Sequence, residues 1–306
     1  MVRYIFGRIL IGIPILFLVI TLVFFAFRLI PGDAARIIAG DEAPIERVEQ
    51  IRRDLGLDRP AIVQYGAYLA DLARGDLGTS FSSRRPVAVE IGSRYWNTFS
   101  LALAAIAVAT VLGIAMGVIS ALYRGRWPDH LVTLTALLGI SIPVFWLGLL
   151  LMQLFAVELG WLPAAGYGTW KHFVMPTITL SVFSIAFITR MTRSSLLETI
   201  QQDYVRTARA KGVRERLVLF MHSLRNALLP VTIVVGLRFG YMVGGAVITE
   251  EVFAWPGLGR LLILSVAQRD IPLVQGLLLV FATSFVVVNL IVDILYAFLD
   301  PRIRHR

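Results

Sequence analysis

Few residues in this 306-residue sequence are of a type and spacing that could do covalent chemistry. There is no cysteine, which excludes thiolate nucleophiles, thiol redox chemistry and disulfides. The four histidines (His130, His172, His222 and His305) are scattered and form no HExxH pair, so a zinc hydrolase lacks its ligands. A P-loop needs glycines, a lysine and a hydroxyl residue in one short cradle around phosphate. The two lysines follow Trp170 and Ala210, so no Gly-Lys pair exists and ATP hydrolysis by that route is excluded for this chain. Gly257-Leu258-Gly259 is half of a dinucleotide fingerprint with no strand before it, and reads as a turn. Ser194 and Ser195 lie among arginines after an apolar run, where they read as a solvated loop or helix end rather than as nucleophiles. The chain is expected to be no enzyme, with no metal or cofactor of its own.

Two charges stand out by position instead. Arg238 and Asp293 are the charged residues inside long apolar runs, and ionisable groups in such places mark ion pairs or solute pathways. Arg238 is two residues from Gly236 and two from Gly240, so on a helix it lies across from both. Either it pairs with Asp293, or it faces an aqueous path where the carboxylate of a passing peptide meets it.

The apolar runs must position these residues. Hydrophobic residues make up 57% of the chain and charged ones 16%, an apolar excess that a soluble domain does not house. Six segments read as spans: 9–27, 98–123, 131–157, 173–189, 227–248 and 271–299, the fourth being short. The first is too long for a signal peptide and no small-x-small cleavage site follows it. The expected fold is an all-α polytopic membrane protein with six transmembrane helices. Fifteen basic residues fall on the face shared by the N-terminus, the loops after spans 2 and 4 and the tail, against Lys171, Arg260 and Arg269 in the short loops opposite. The positive-inside bias therefore places both termini in the cytoplasm, and the net charge of +9 needs no nucleic-acid partner.

The expected organisation is an N-terminal end and first span over 1–30, a periplasmic helical segment over 31–97, a five-span core over 98–300 and a cytoplasmic tail over 301–306. In the outer segment Ile45, Val48, Ile51 and Leu55 recur at helical spacing before Gly56, and Pro60 opens a second helix that carries Tyr65, Tyr68, Leu69 and Leu72 before Gly75. It reads as a hairpin over the outer rim, or as a surface that meets a delivery protein. Small residues repeat every four positions at Ala105, Ala109, Gly113, Gly117 and Ala121, and again at Gly236, Gly240 and Gly244, a pattern that lets helix backbones approach in lipid. Pro14 and Pro143 are expected to kink spans 1 and 3.

The informative stretch is 203–230, DYVRTARAKGVRERLVLFMHSLRNALLP, most of which lies in the expected cytoplasmic coupling loop 190–226. Thr207, Ala208, Ala210 and Gly212 give a short helix a slim face that ends at glycine, and Leu217, Phe220, Met221 and Leu224 give a second helix an apolar stripe. Two short helices meeting at a glycine form either a compact knob for a groove in a partner or an ordinary surface hairpin.

RTARAKG followed by RNALLP resembles the EAA loop of ATP-binding-cassette importer permeases, in the form of the peptide and nickel branch, with Arg206-Thr207-Ala208 in place of Glu-Ala-Ala. The segment from Arg8 through Ile13-Pro14 to Pro31-Gly32-Asp33 is similar to that branch, as are Leu55-Gly56-Leu57-Asp58, Gly75-Asp76-Leu77-Gly78, Ser141-Ile142-Pro143, Pro256-Gly257-Leu258-Gly259 and the ending from Val292-Asp293 to Asp300-Pro301-Arg302. The resemblance covers essentially the whole chain and is to the first of two permease subunits, with a type I importer fold. It implies a second homologous permease, two ATPase subunits carrying ATP and magnesium, a periplasmic substrate-binding protein, and the lipid of a bacterial inner membrane. Carried over by residue, Tyr204, Arg206, Thr207, Ala208, Ala210, Lys211 and Gly212 would couple ATPase motion to the spans. Arg238 departs from the family, where an uncharged glutamine is expected.

The expected cargo is a small peptide or peptide-like solute: a dipeptide, an oligopeptide or glutathione, with a nickel chelate as the alternative. A self-contained channel or proton-coupled carrier, and a non-transporting scaffold, are the rivals from other classes. ATP dependence separates them from an importer.

Overall fold

The structure is a computed structural model and describes residues 2–29, 34–40, 43–54 and 56–299. The motif at 31–33, Leu55 and the tail at 301–306 lie outside the described residues.

The described residues fold into helices joined by turns, with one isolated bridge between Thr79 and Pro86. Helix α1 (Val2–Leu29) carries Pro14 in its interior and remains one helix. Three short outer helices follow, α2 (Ala34–Ala39), α3 (Ile45–Asp54) and α4 (Ala61–Ala73). Long α5 (Val87–Leu122) then leads to α6 (Trp127–Ser141) and α7 (Val144–Met152), which continues as a π-helical segment over Gln153–Glu158. Next come α8 (Trp170–Ile200), α9 (Asp203–Ala210), α10 (Glu215–Leu217) and a second π-helical segment, Val218–Leu224. The chain ends with α11 (Arg225–Gly245), α12 (Val247–Val252), α13 (Leu258–Ala267) and α14 (Ile271–Leu299).

Among the described residues five helices are long and apolar enough to cross a membrane, and the α6–α7 pair makes a sixth span if its two halves are counted together. That pair bends by 102° at Ile142-Pro143, far beyond a kink. Proline has no N–H for the helix ladder and forces the preceding residue out of the helical region, and Ile142 is accordingly extended at ψ 124°.

The centre of the bundle is α5 against α8. All five small residues of the α5 stripe are buried. A Cβ on Gly113 would sit 2.7 Å from the Ile188 side chain, and one on Gly117 would sit 2.5 Å from Thr192 Cβ. The glycines thus set the spacing of the two helices, since dispersion between closely fitted backbones replaces hydrophobic drive in lipid. Leu101, Ile188, Val231, Met242 and Trp255 complete the main core.

Helix α8 is longer than its apolar run. It continues to Ile200, so residues 190–200, expected to lie in the cytoplasmic loop, are helix. Arg193 leaves that helix to form a two-pronged pair with Asp129, Nε to Oδ1 and Nη2 to Oδ2 both at 2.9 Å. Asp129 is only 4% exposed and also accepts from Ser120 Oγ at 2.5 Å and Gly125 N at 2.9 Å. Ser195, expected to be solvated, is buried and donates to the Ala227 carbonyl at 2.9 Å, joining α8 to α11.

On the opposite face α4 packs on the end of α1. Tyr68 stacks on Phe24 with ring centres 5.4 Å apart, Tyr65 Oη lies 2.6 Å from Thr21 Oγ1, and Arg28 sits 3.8 Å over the Phe24 ring while reaching Gln64. The loop before α5 is fixed to α14 by buried Asp270, which accepts from Ser80 Oγ at 2.5 Å and from the backbone of Phe81 and Ser82 at 3.1 Å.

Candidate coupling hairpin and intramembrane charges

Helix α9 is short because its sequence allows little else: Asp203 sits in its first turn, Arg209 in its last, and Gly212 ends it in the left-handed region at φ +77°. Val205 and Ala208 are buried against Val218 and Val213, which docks α9 on the base of the fifth span. Tyr204, Arg206, Thr207, Ala210, Lys211 and Gly212 are left on the open face. The single slim face expected from Thr207, Ala208, Ala210 and Gly212 is thus divided, with Ala208 inward and the others outward. A period of 3.6 places 208 one turn from 205 and almost opposite 210, which a reading by residue size overlooked.

The turn after α9 is closed by Arg209 and Glu215, with Nη2 to Oε1 at 2.7 Å and Nε to Oε2 at 3.1 Å. This charge-assisted bond holds the Arg209 pKa above its ordinary value. A Cβ on Gly212 would meet nothing within 4 Å, so the glycine is required by backbone conformation and not by a crowded neighbour. The second short helix of the expected hairpin is not separate. Residues from Glu215 run through the π segment into α11 as one helix of 31 residues, so α9 is fixed directly to a span. Asn226 Nδ2 bridges the two, donating to Tyr204 Oη at 3.0 Å and to the His222 carbonyl at 2.9 Å. The expected stripe does not face inward: Leu217, Phe220 and Met221 are exposed and Leu224 is half-buried, which leaves an apolar surface beside α9, while Val218 and Ser223 take the buried face.

Arg238 and Asp293 do not meet. Asp293 lies 3.2 Å from Arg8, joining α14 to α1 near the end of both spans, so it is shallower than its apolar neighbours implied. Arg238 has its guanidinium carbon 3.6 Å over the Phe187 ring and 5.3 Å from that of Phe183. Its helix presents Gly236 to α14, where a Cβ would lie 2.1 Å from Val292 Cγ2, and this turns Arg238 toward α8 instead.

The sequence reading missed a third site. Glu250 of α12 is fully buried and accepts from Thr98 Oγ1 at 2.6 Å, Gly259 N at 2.7 Å and Arg260 N at 3.2 Å. Thr98 in turn accepts from Leu258 N at 2.7 Å, and Asn97 donates to the Pro256 carbonyl at 2.8 Å. The Pro256-Gly257-Leu258-Gly259 turn therefore wraps a carboxylate and ties the start of α13 to α5. Burial pushes the Glu250 pKa up, against the bonds that favour its ionised form. A Glu among apolar residues just after a span was the available signal.

A bundle of long apolar helices, with a short basic helix docked on the base of one span, defines a multi-pass membrane protein. The comparisons give the family. The model described as binding-protein-dependent transport system inner membrane component matches residues 109–305, and its N-terminal membrane component matches residues 1–102. The chain belongs to this family and is a peptide-type ABC importer permease of the inner membrane. It is 48% identical over 306 residues to the glutathione transport system permease protein GsiC of Pectobacterium atrosepticum, with all of both chains covered. The GsiC protein of Escherichia coli K12 is 47% identical over the same full lengths. Among solved structures, an inward-facing form of the MetNI methionine ABC transporter matches with TM-score 0.57 at 18% identity, covering 69% of this chain and 96% of that one. An amino acid ABC transporter crystallised with histidines matches with TM-score 0.53 at 16% identity, covering 70% and 94%. These two show a shared fold, that of type I importer permeases. A permease of this kind works with ATPase and substrate-binding partners.

Proposed function

We propose that this chain is one of two permease subunits through which ATP hydrolysis moves small anionic peptides, glutathione foremost, from periplasm to cytoplasm. The observation that carries the cargo is the end-to-end identity of 47–48% to glutathione permeases. In the assembly a second homologous permease completes the pathway, two ATPase subunits bind ATP and magnesium, and a periplasmic protein delivers solute. Both termini and α9 lie in the cytoplasm, in keeping with the fifteen basic residues on that face. The open face of α9, with Tyr204, Arg206, Thr207, Ala210, Lys211 and Gly212, receives the ATPases, and buried Ala208 passes their movement through Val218 to the fifth span. Deleting the gene should abolish ATP-dependent uptake of labelled glutathione, and the wild-type gene should restore it. Unaltered uptake of glutathione and of di- and tripeptides in the deletion strain would remove the proposal.

A further inference from the structure

Among the described residues Arg238 is a charge without a counter-charge. It forms no ion pair among them and its guanidinium donates no hydrogen bond; its contacts there are with the rings of Phe187, Phe183 and Tyr241. It lies thirteen residues from Arg225 at one end of α11 and seven from Gly245 at the other, roughly 20 Å and 10 Å along the helix. A guanidinium at that level does not face lipid without penalty, so it belongs on a protein-lined, hydrated surface. Gly236 and Gly240 pack against Val292 and Phe285 of α14, which fixes the rotation of α11 and points position 238 the other way. There Tyr241 is 62% exposed and Phe183 is also open, so among the described residues the arginine's side of α11 is left accessible.

We infer that Arg238, flat on Phe187, is the element of the pathway that reads the carboxylate of an anionic peptide in transit. The inference rests on the peptide-import reading above and adds a residue and a chemistry to it. A guanidinium stacked face-on keeps the N–H groups at its edge free, and that planar fork matches a carboxylate in two-pronged fashion. The aromatic shelf stabilises the cation without neutralising it. Attraction is then available to a solute and is not consumed by an internal partner. A transient, single-sided contact of this kind favours entry without trapping the solute.

The test uses the complete importer in proteoliposomes with saturating binding protein, comparing glutathione with its diamide, which has neither of glutathione's two carboxylates. A lost hydrogen bond to a charged group is worth about tenfold or more, so Arg238→Gln should slow glutathione uptake about tenfold and diamide uptake less than twofold. Assembly yield and basal ATPase rate should not change. Arg238→Lys should recover most of the glutathione rate, and Phe187→Leu should give an intermediate loss. Equal loss for both solutes, or a loss matched by falling assembly yield, overturns the inference; the latter would mean that Arg238 pairs with the second permease. Unchanged uptake by Arg238→Gln also overturns it and leaves peptide import standing. Failure of the wild type to import any peptide would instead bring down the import reading, and this inference with it.

Discussion

Gly236→Ala should destabilise the bundle and Gly244→Ala should stabilise it, although the two glycines belong to the same four-residue repeat. An alanine Cβ at 236 would lie 2.1, 2.7 and 2.9 Å from Val292 Cγ2, Cγ1 and Cβ. The contact with Cβ survives any rotation of the valine, so α11 and α14 must move apart. Overpacking of that kind costs about 1–3 kcal/mol, and exchanging glycine for alanine within a helix returns up to about 1 kcal/mol. With the full helix gain taken off, the net effect at 236 is a loss of up to about 2 kcal/mol. At 244 nothing lies within 4 Å of the added Cβ, so the helix gain stands alone. Melting curves of the detergent-solubilised chain should move by about 2 °C or more per kcal/mol, downward for Gly236→Ala and slightly upward for Gly244→Ala. Adding Val292→Ala to Gly236→Ala should restore part of the loss, because it removes both Cγ atoms from the clash. A rise in melting temperature for Gly236→Ala, or a double variant below the single one, would refute the packing argument.

Gly212→Val should insert normally yet uncouple transport from ATP hydrolysis, because a β-branched residue held at φ +77° is strained by about 1–2 kcal/mol. Gly212→Asn, which tolerates that region, should keep most activity, and full transport by the valine variant would sink the coupling role. Thr98→Val keeps the shape but removes a group that donates to Glu250 and accepts from Leu258 N, so stability should fall by about 1–3 kcal/mol; an unchanged melt would show the Glu250 cluster to be indifferent. Single cysteines in this cysteine-free chain should report topology: one at exposed Arg84 should react with an impermeant thiol reagent from outside and one at exposed Arg214 should not, and the reverse pattern would invert the orientation.

The helical class and the spans were readable because a bilayer imposes length and apolarity on each run, and Trp170–Ile200 shows where that reading stops. The helix goes on for eleven residues beyond its apolar part because Arg193 and Ser195 find buried partners in Asp129 and Ala227, a tertiary compensation that no hydropathy window contains. The glycine repeat of α5 was legible as a packing stripe, whereas in α11 Gly236 is crowded and Gly244 is open, a distinction that depends on what α14 presents. The expected Arg238–Asp293 pair was an inference from two charges in apolar surroundings. Arg8, near the start of α1, stands closer to Asp293 than sequence distance could reveal. Glu250 stayed unnoticed for the same reason, since its partners lie about 150 residues away on α5 as well as nearby on α13.

The central claim is that this chain passes peptide only when other subunits spend ATP, and one measurement addresses it directly. Proteoliposomes carrying the chain with its second permease and ATPases should take up labelled glutathione when ATP is on the ATPase side and the binding protein is on the other. Uptake should stop when ATP is replaced by a non-hydrolysable analogue or the ATPases are omitted. Glutathione uptake by the chain alone, insensitive to ATP, would contradict the account and make the protein a carrier or channel in its own right.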